Sequence, residues 1–239
     1  MNPQEFKQAL QQHNIEITEK QLRQFHDYYD LLVKTNKVMN LTNITAEPEV
    51  YLKHFYDSLT PLFFVPNLLN EQVSLADIGS GAGFPGIPLK IMNPKLHLVI
   101  DDSLNKRLKF LQEVIKQLQL RDVDLVHARA EDFGQNKLYR EQFDYVTARA
   151  VASLPVLLEL CLPAVKVGGY FIAMKGDRGS EELKLAANAL KVLGGKLENV
   201  ETFELPEDAG QRDIILIKKV KKTPKKYPRK AGTPAKKTL

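Results

Sequence analysis

From Val73 onward, short apolar runs alternate with longer stretches whose apolar residues recur every three to four positions. The short runs predict strands at Leu75–Ile78, Leu96–Ile100, Val123–His127, Tyr145–Ala148, Tyr170–Met174, Leu197–Glu204 and Ile214–Val220. Between them, Leu104, Leu108, Leu111, Ile115 and Leu118 share one helical face. Leu154, Leu157, Leu158, Cys161, Leu162 and Val165 share another, after a capping Ser153. A further helix opens at Ser180 and closes at Gly194-Gly195. Strand and helix in alternation imply an α/β fold with a parallel sheet covered on both faces. Pro206 to Arg212 is too short to hold a helix, so the last two strands are expected to form a hairpin with an antiparallel edge strand.

Before Val73 the period is helical throughout. Asn2-Pro3-Gln4-Glu5 and Thr18-Glu19-Lys20-Gln21 are helix openings, each with a capping residue and a Glu or Gln three positions on. Leu22, Phe25, Tyr29, Leu32 and Val33 then fall on one face. Asn36 to Thr45 breaks the pattern, and Glu49 to Phe64 resumes it through Val50, Phe55 and Leu59. Residues 1–70 are therefore expected to be a helical extension packed on an α/β domain of residues 71–220. Residues 221–239 are rich in Lys and Pro, and are expected to be a basic, flexible C-terminal tail.

Composition narrows the class. At 44% hydrophobic and 26% charged residues, the chain reads as a soluble globular protein. No apolar run approaches the ~20 residues of a membrane span. Met1-Asn2-Pro3-Gln4-Glu5 has neither a basic start nor an apolar core, so no secretory signal is expected. The one cysteine, Cys161, has no disulfide partner and lies in an apolar helical pattern, which suits a core residue in a reducing cytoplasm. The net charge of +5 is uneven: Lys218 to Leu239 hold ten basic and no acidic residues, which leaves the other 217 residues at −5. The positive charge thus belongs to the tail, a segment suited to polyphosphate.

The candidate chemistry centres on Asp77-Ile78-Gly79-Ser80-Gly81-Ala82-Gly83-Phe84-Pro85-Gly86, an apolar strand running into a glycine-dense loop and a helix start. Such a loop lets a ligand approach the main chain closely, and we read it as the cradle of a nucleotide-like cofactor. Gly79, Gly81 and Gly83 give G-x-G-x-G, while Gly81, Gly83 and Gly86 give the dinucleotide fingerprint. In a doubly wound sheet, ligands bind outside the carboxyl ends of the strands. Those ends carry Asp101-Asp102-Ser103, where a carboxylate suits ribose hydroxyls, then Ala128 to Asp132, Thr147 to Ala150, and Lys175-Gly176. His54 and Asp57 lie three apart on a predicted helix, at pairing distance. On these residues alone a nicotinamide-dependent reductase and a non-catalytic RNA-binding protein both stay open.

The chain resembles a family, the bacterial small-subunit ribosomal RNA guanine-N7 methyltransferases (glucose-inhibited division protein B). The resemblance rests on Asn40-Leu41-Thr42, His54 to Leu59, Asp77 to Gly86, Asp102 to Arg107, Arg129-Ala130-Glu131, Thr147 to Ala150 and Thr-Pro-Lys-Lys-Tyr-Pro-Arg-Lys in the tail. It implies a Rossmann-like class I methyltransferase with a mostly parallel seven-stranded sheet, using S-adenosylmethionine to methylate N7 of a guanine in 16S ribosomal RNA. It further implies that Gly79 and Phe84 lie against the cofactor, that Asp102, Ser103 and Leu104 flank its ribose and adenine, and that Ala130 and Glu131 meet the adenine end. Arg149 would sit beside cofactor and target base. Apart from the resemblance, Lys175 at its strand end is a candidate to hold a phosphate or orient the guanine. Phe84 would form a wall of the pocket. The position before Asp102 is apolar in that family and is Asp101 here, so either carboxylate is open to the ribose. No metal is expected. The implied partner is 16S ribosomal RNA or the small subunit, met by a monomeric cytoplasmic enzyme. The tail would supply phosphate contacts and Tyr227 a stacking ring. Deleting residues 221–239 is accordingly expected to weaken RNA binding and spare cofactor affinity.

Overall fold

The computed structural model describes residues 1–239. Its centre is a sheet of β1 (Ser74–Ile78), β2 (His97–Asp102), β3 (Val123–His127), β4 (Phe143–Arg149), β5 (Val165–Lys175), β6 (Gly195–Glu204) and β7 (Gln211–Lys219). The strand order is β3-β2-β1-β4-β5-β7-β6. Pairings among the first five strands are parallel, and β7 runs antiparallel to both β5 and β6. The expected hairpin therefore forms the antiparallel end of the sheet. Within it β7 takes the inner place, because Ile214, Ile215 and Ile217 are buried, while β6, with Lys196, Glu198 and Glu204 exposed, serves as the edge.

Order reverses at β1, with β2 on one side and β4 on the other. Register aligns Ile78 with Asp101, Asp102 with His127 and Arg149 with Met174. Lys175 pairs with Asp213, so the first residues of antiparallel β7 share the edge where the parallel strands end. That edge is the place where a doubly wound sheet binds ligands.

Helices Ala130–Gln135, Leu154–Cys161 and Ala187–Leu193 cover one face of the sheet, around Phe133, Leu157, Cys161 and Phe171. The other face is covered by Gly86–Met92 and Asn105–Gln117 together with α1 (Pro3–Gln11) and α2 (Glu19–Met39). Both predicted openings are real: Asn2 and Thr18 each make a capping box. The N-terminal helices share a single core with the sheet. Phe6, Phe25, Tyr28, Phe55 and Leu59 lie in the same buried cluster as Leu75, Leu98, Ile100 and Ile172. Each such side chain stabilises the fold by about 1.5–3 kcal/mol on burial. Tyr28 also donates its hydroxyl to the Ala82 carbonyl, tying α2 to the glycine loop.

The stretch predicted as a plain amphipathic helix over Glu49–Phe64 is more elaborate. A helical turn at Glu47–Val50 widens into a π-helix at Tyr51–Tyr56 and narrows again at Asp57–Leu59. Such widened turns redirect side chains and free carbonyls, often at functional sites.

The C-terminal segment departs from the flexible tail expected for residues 221–239. Thr223, Tyr227, Pro228 and Pro234 are buried, and Thr233–Lys236 forms a short helix. Arg140 donates to the carbonyls of Thr223 (2.8 Å) and Tyr227 (2.8 Å). Arg229 grips the buried Glu159 carboxylate through Nε (2.9 Å) and Nη2 (2.6 Å). The Lys-Pro composition suggests disorder only when these anchors are overlooked. Tyr227 is 7% exposed and belongs to the core, so it is not placed to stack on a base.

Candidate functional site

Two cavities open along the carboxyl edge of the sheet and meet at Ala150. The first, of about 320 Å³, is lined by Gly79, Asp101, Asp102, Ser103, Arg129, Ala130, Glu131 and Val151, among others. The second, of about 310 Å³, is lined by Lys53, His54, Asp57, Arg149, Met174, Lys175 and Arg212, among others. Ala150 has a φ of 57°, the left-handed region, which costs an L-residue roughly 1–2 kcal/mol. The chain accepts that strain where the two cavities join.

The glycine loop builds the first cavity. Gly79 has a φ of +69°, and a Cβ there would stand 2.9 Å from Val151 Cγ2. Gly83 has a φ of +101°, with Ile87 and Leu111 each 2.8 Å from the place of a Cβ. The loop is fixed from inside by Asp77, whose Oδ2 accepts Ser80 Oγ (2.5 Å) and Gly86 N (2.8 Å). That amide begins the Gly86–Met92 helix, so its first donor is already taken. Burial raises the Asp77 pKa to about 6.

The neighbouring carboxylates have separate tasks. Asp102 organises loops: Oδ2 accepts Gly81 N (2.9 Å) and Arg107 Nη1 (3.2 Å), and Oδ1 accepts Leu104 N (2.8 Å). Asp101 also lines the cavity, is 1% exposed, and has a buried Oδ1 without a hydrogen-bond partner. Burial and then the Asp102 charge push its pKa up to about 8. Ser103, Ala130 and Glu131 line the same space. Leu104 contributes its amide to Asp102, but its side chain is 42% exposed and is not part of the lining.

Long-range ion pairs build the second cavity. Asp57 Oδ2 accepts Arg149 Nη1 (3.0 Å), and Oδ1 accepts Arg212 Nε (3.0 Å). Arg149 also donates to the carbonyls of Lys53 (3.3 Å) and His54 (3.4 Å) in the π-helical turn. His54 and Asp57, three apart, do not pair with each other. The His54 ring stacks on Phe84, centroids 4.6 Å apart, and its Nε2 lies 2.8 Å from Thr42 Oγ1. Burial, then the Arg149 charge, lowers the His54 pKa to about 4, so the ring is neutral near pH 7.

Two expected site residues have partners that the sequence did not suggest. Phe84 is 6% exposed and lines neither cavity; it packs under the Arg149 guanidinium, 5.2 Å away, and beneath His54. Its aromatic surroundings from α2 and the π-helix draw it into the core. Lys175 does line the second cavity, but its Nζ is occupied by Glu182 Oε2 (2.8 Å) and the Ala152 carbonyl (2.8 Å). Sequence reasoning missed Arg212. Arg212 was accessible through topology: an antiparallel β7 must begin at the edge where the parallel strands end.

Comparison with known proteins agrees with this architecture. The family model of rRNA small subunit methyltransferase G matches residues 21–215. A ribosomal RNA small subunit methyltransferase G of Lactobacillus acidophilus is 57% identical over all of this chain and all of its own length. One from Staphylococcus aureus is 56% identical over 97% of this chain and 96% of its own. Among solved structures, M. jannaschii TYW2 in complex with AdoMet is similar at a TM-score of 0.51 and 20% identity, over 67% of this chain and 74% of that one. Aeropyrum pernix fibrillarin is similar at a TM-score of 0.50 and 15% identity, over 62% and 67%. These structural likenesses bear on the fold, which is Rossmann-like. The chain belongs to the rRNA small subunit methyltransferase G family.

Proposed function

We propose that this member of the rRNA small subunit methyltransferase G family transfers a methyl group from S-adenosylmethionine to N7 of a guanine in 16S ribosomal RNA. The observation that carries the reading is the pair of cavities joined at Ala150, one edged with carboxylates and one with cations. Each is near the lower end of the ~300–1,000 Å³ typical of small-ligand pockets.

The first cavity fits the adenosine part of the cofactor. Gly79, without a Cβ, lets Val151 pack against the loop where both line this cavity. Asp101 and Asp102 offer carboxyl oxygens to ribose hydroxyls, and the unpartnered Asp101 Oδ1 is the group in want of one. Ser103, Ala130 and Glu131 would hold the ribose and adenine end, with Leu104 contributing its backbone. Arg149, at the junction, would lie beside cofactor and base. Phe84 would act through Arg149 and His54, which it supports from below.

When bound, S-adenosylmethionine supplies a methyl group on a sulfonium. Guanine N7 has a lone pair and no proton, so its methylation needs no general base. His54, half-buried and neutral, has its Nε2 turned to Thr42, so this reading gives it no proton to take from the base. What the chain supplies is alignment and exclusion of water. Asp57 fixes Arg149 and Arg212 in a rigid pair of forks, suited to phosphate or guanine O6. Lys53 and Arg178 add positive charge near the mouth, which favours RNA by counterion release. Lys175, held by Glu182, stiffens the floor under the base. On this reading the enzyme acts as a monomer in the cytoplasm, with both cavities lined by one chain. No helix is long and apolar enough to cross a membrane.

The test is methyl transfer from labelled cofactor to 16S ribosomal RNA and to small-subunit particles, with digestion and identification of the methylated nucleoside. The label should appear as 7-methylguanosine at one site. Label on another atom, or on neither substrate, would overturn the reading.

A further inference from the structure

The C-terminal segment reaches the walls of the first cavity. Glu131 lines that cavity, and its Oε1 accepts the backbone N–H of Gly232 at 2.8 Å. Leu160 lines it too, and the preceding Glu159 is held by Arg229 through three donors: backbone N (2.8 Å), Nε (2.9 Å) and Nη2 (2.6 Å). Glu159 is 1% exposed, an acid within the otherwise apolar run Leu154–Cys161, so it depends on this partner. The segment also grips the Ala130–Gln135 helix from outside. Gln135 Nε2 donates to the Pro228 carbonyl (2.7 Å), and a Cβ on Gly134 would stand 2.8 Å from Pro228 Cγ. Two separate elements of the cavity wall, each carrying a carboxylate, are thus fastened to one strand of chain within four residues.

We propose that residues 223–237 are a strap that positions the adenine-end wall of the cavity, with Arg229 and the Gly232 amide as its two fastenings. The inference rests on the reading that this cavity takes S-adenosylmethionine. Glu131 can face the cofactor in one fixed orientation because one of its oxygens is held from behind. The Leu154–Cys161 helix keeps Leu160 at the cavity because Arg229 neutralises and orients Glu159. Arg229 is a positioning residue: it holds the wall from behind and does not itself line the cavity. The strap's outer face carries exposed Lys225, Lys226 and Lys230, so the same segment suits RNA phosphate on one side and the cofactor wall on the other. Loss of the segment should therefore weaken both cofactor and RNA, contrary to the expectation from sequence that cofactor affinity would be spared.

The test uses the full chain and three point variants, with S-adenosylmethionine affinity measured by calorimetry well below each unfolding temperature. Arg229→Ala should raise the cofactor Kd at least tenfold. Arg229→Lys, which keeps charge but not the two-pronged geometry, should recover part of the loss. Gln135→Ala, which removes one surface grip on the strap, should raise Kd about threefold, a cost near that of one neutral hydrogen bond. In turnover, Arg229→Ala should raise KM for the cofactor and leave kcat at saturating cofactor within twofold, a split that general destabilisation does not produce. Amide exchange at residues 128–135 should quicken in both positions' variants. If Arg229→Ala does not fold, Arg229→Lys and Gln135→Ala decide the matter. Wild-type affinity in the folded variants, with unchanged exchange at 128–135, would overturn the strap. Failure of the wild-type chain to bind S-adenosylmethionine at all would instead overturn the assignment of the cavity.

Discussion

The two halves of the cleft are held together in different ways. Around the glycine loop on the cofactor side the polar contacts are local or join neighbouring strand ends: Asp77 serves Ser80 and Gly86, and Asp102 serves Gly81 and Leu104. On the base side one carboxylate, Asp57, reaches Arg149 across 92 positions and Arg212 across 155. The glycine-loop wall is shaped by backbone, the base side by a network of charges. A single backbone change should therefore break the first, while a single charge deletion should break the second.

The largest effect is expected at Gly79. Valine there would face Val151 and would have to adopt a φ of +69° with a branched Cβ. S-adenosylmethionine affinity should fall by about 100-fold or more, a loss of ~2.7 kcal/mol or more. The unfolding temperature should move much less, since Gly79 itself is only half-buried and borders the cavity. Full affinity in calorimetry would remove the loop from the site.

Asp57→Ala comes next. It leaves two half-buried arginines facing one another without their counter-charge, for a stability loss of about 3 kcal/mol. Methyl transfer should fall about 30-fold as the arginines move apart, while cofactor Kd stays within about threefold. Equal damage to cofactor binding and transfer would show that the halves are not separable.

Smaller effects distinguish the halves by pH. Asp101 has its folded pKa raised to about 8, so stability is lost as pH rises from its unfolded value near 4 through 8. Asp101→Asn should raise the unfolding temperature more at pH 8.5 than at pH 5, by about 5 °C. His54 has the opposite slope. Its folded pKa is lowered to about 4, so the unfolded chain takes up a proton first, and stability falls as pH drops from 6.5 to about 4. His54→Gln should flatten that acid limb by about 2 °C. Slopes of the same sign would contradict the burial assigned to one of them.

The same contrast explains what could be read from the sequence. The loop Asp77 to Gly86, the acids Asp101 and Asp102, and Ala130-Glu131 all follow predicted strands directly. A local pattern plus the strand-end rule located them. Asp57 with Arg212 could not be found that way, since their meeting depends on where β7 enters the sheet. The π-helical turn that turns the Lys53 and His54 carbonyls toward Arg149 has no period of its own to detect. The aromatic neighbours of Phe84 were not legible because they come from the N-terminal helices, far off in sequence. The tail misled by composition: Lys and Pro promise disorder, yet Glu159 alone in an apolar helix was a sign that a cation must arrive from somewhere. Arg229 is that cation.

A crystal structure with S-adenosylhomocysteine tests the account most directly. The adenosine should occupy the cavity of Gly79, Asp101 and Ala130, with the sulfur at Ala150 facing the space between Arg149 and Arg212. Adenosine bound elsewhere, or a sulfur turned away from Ala150, would contradict it.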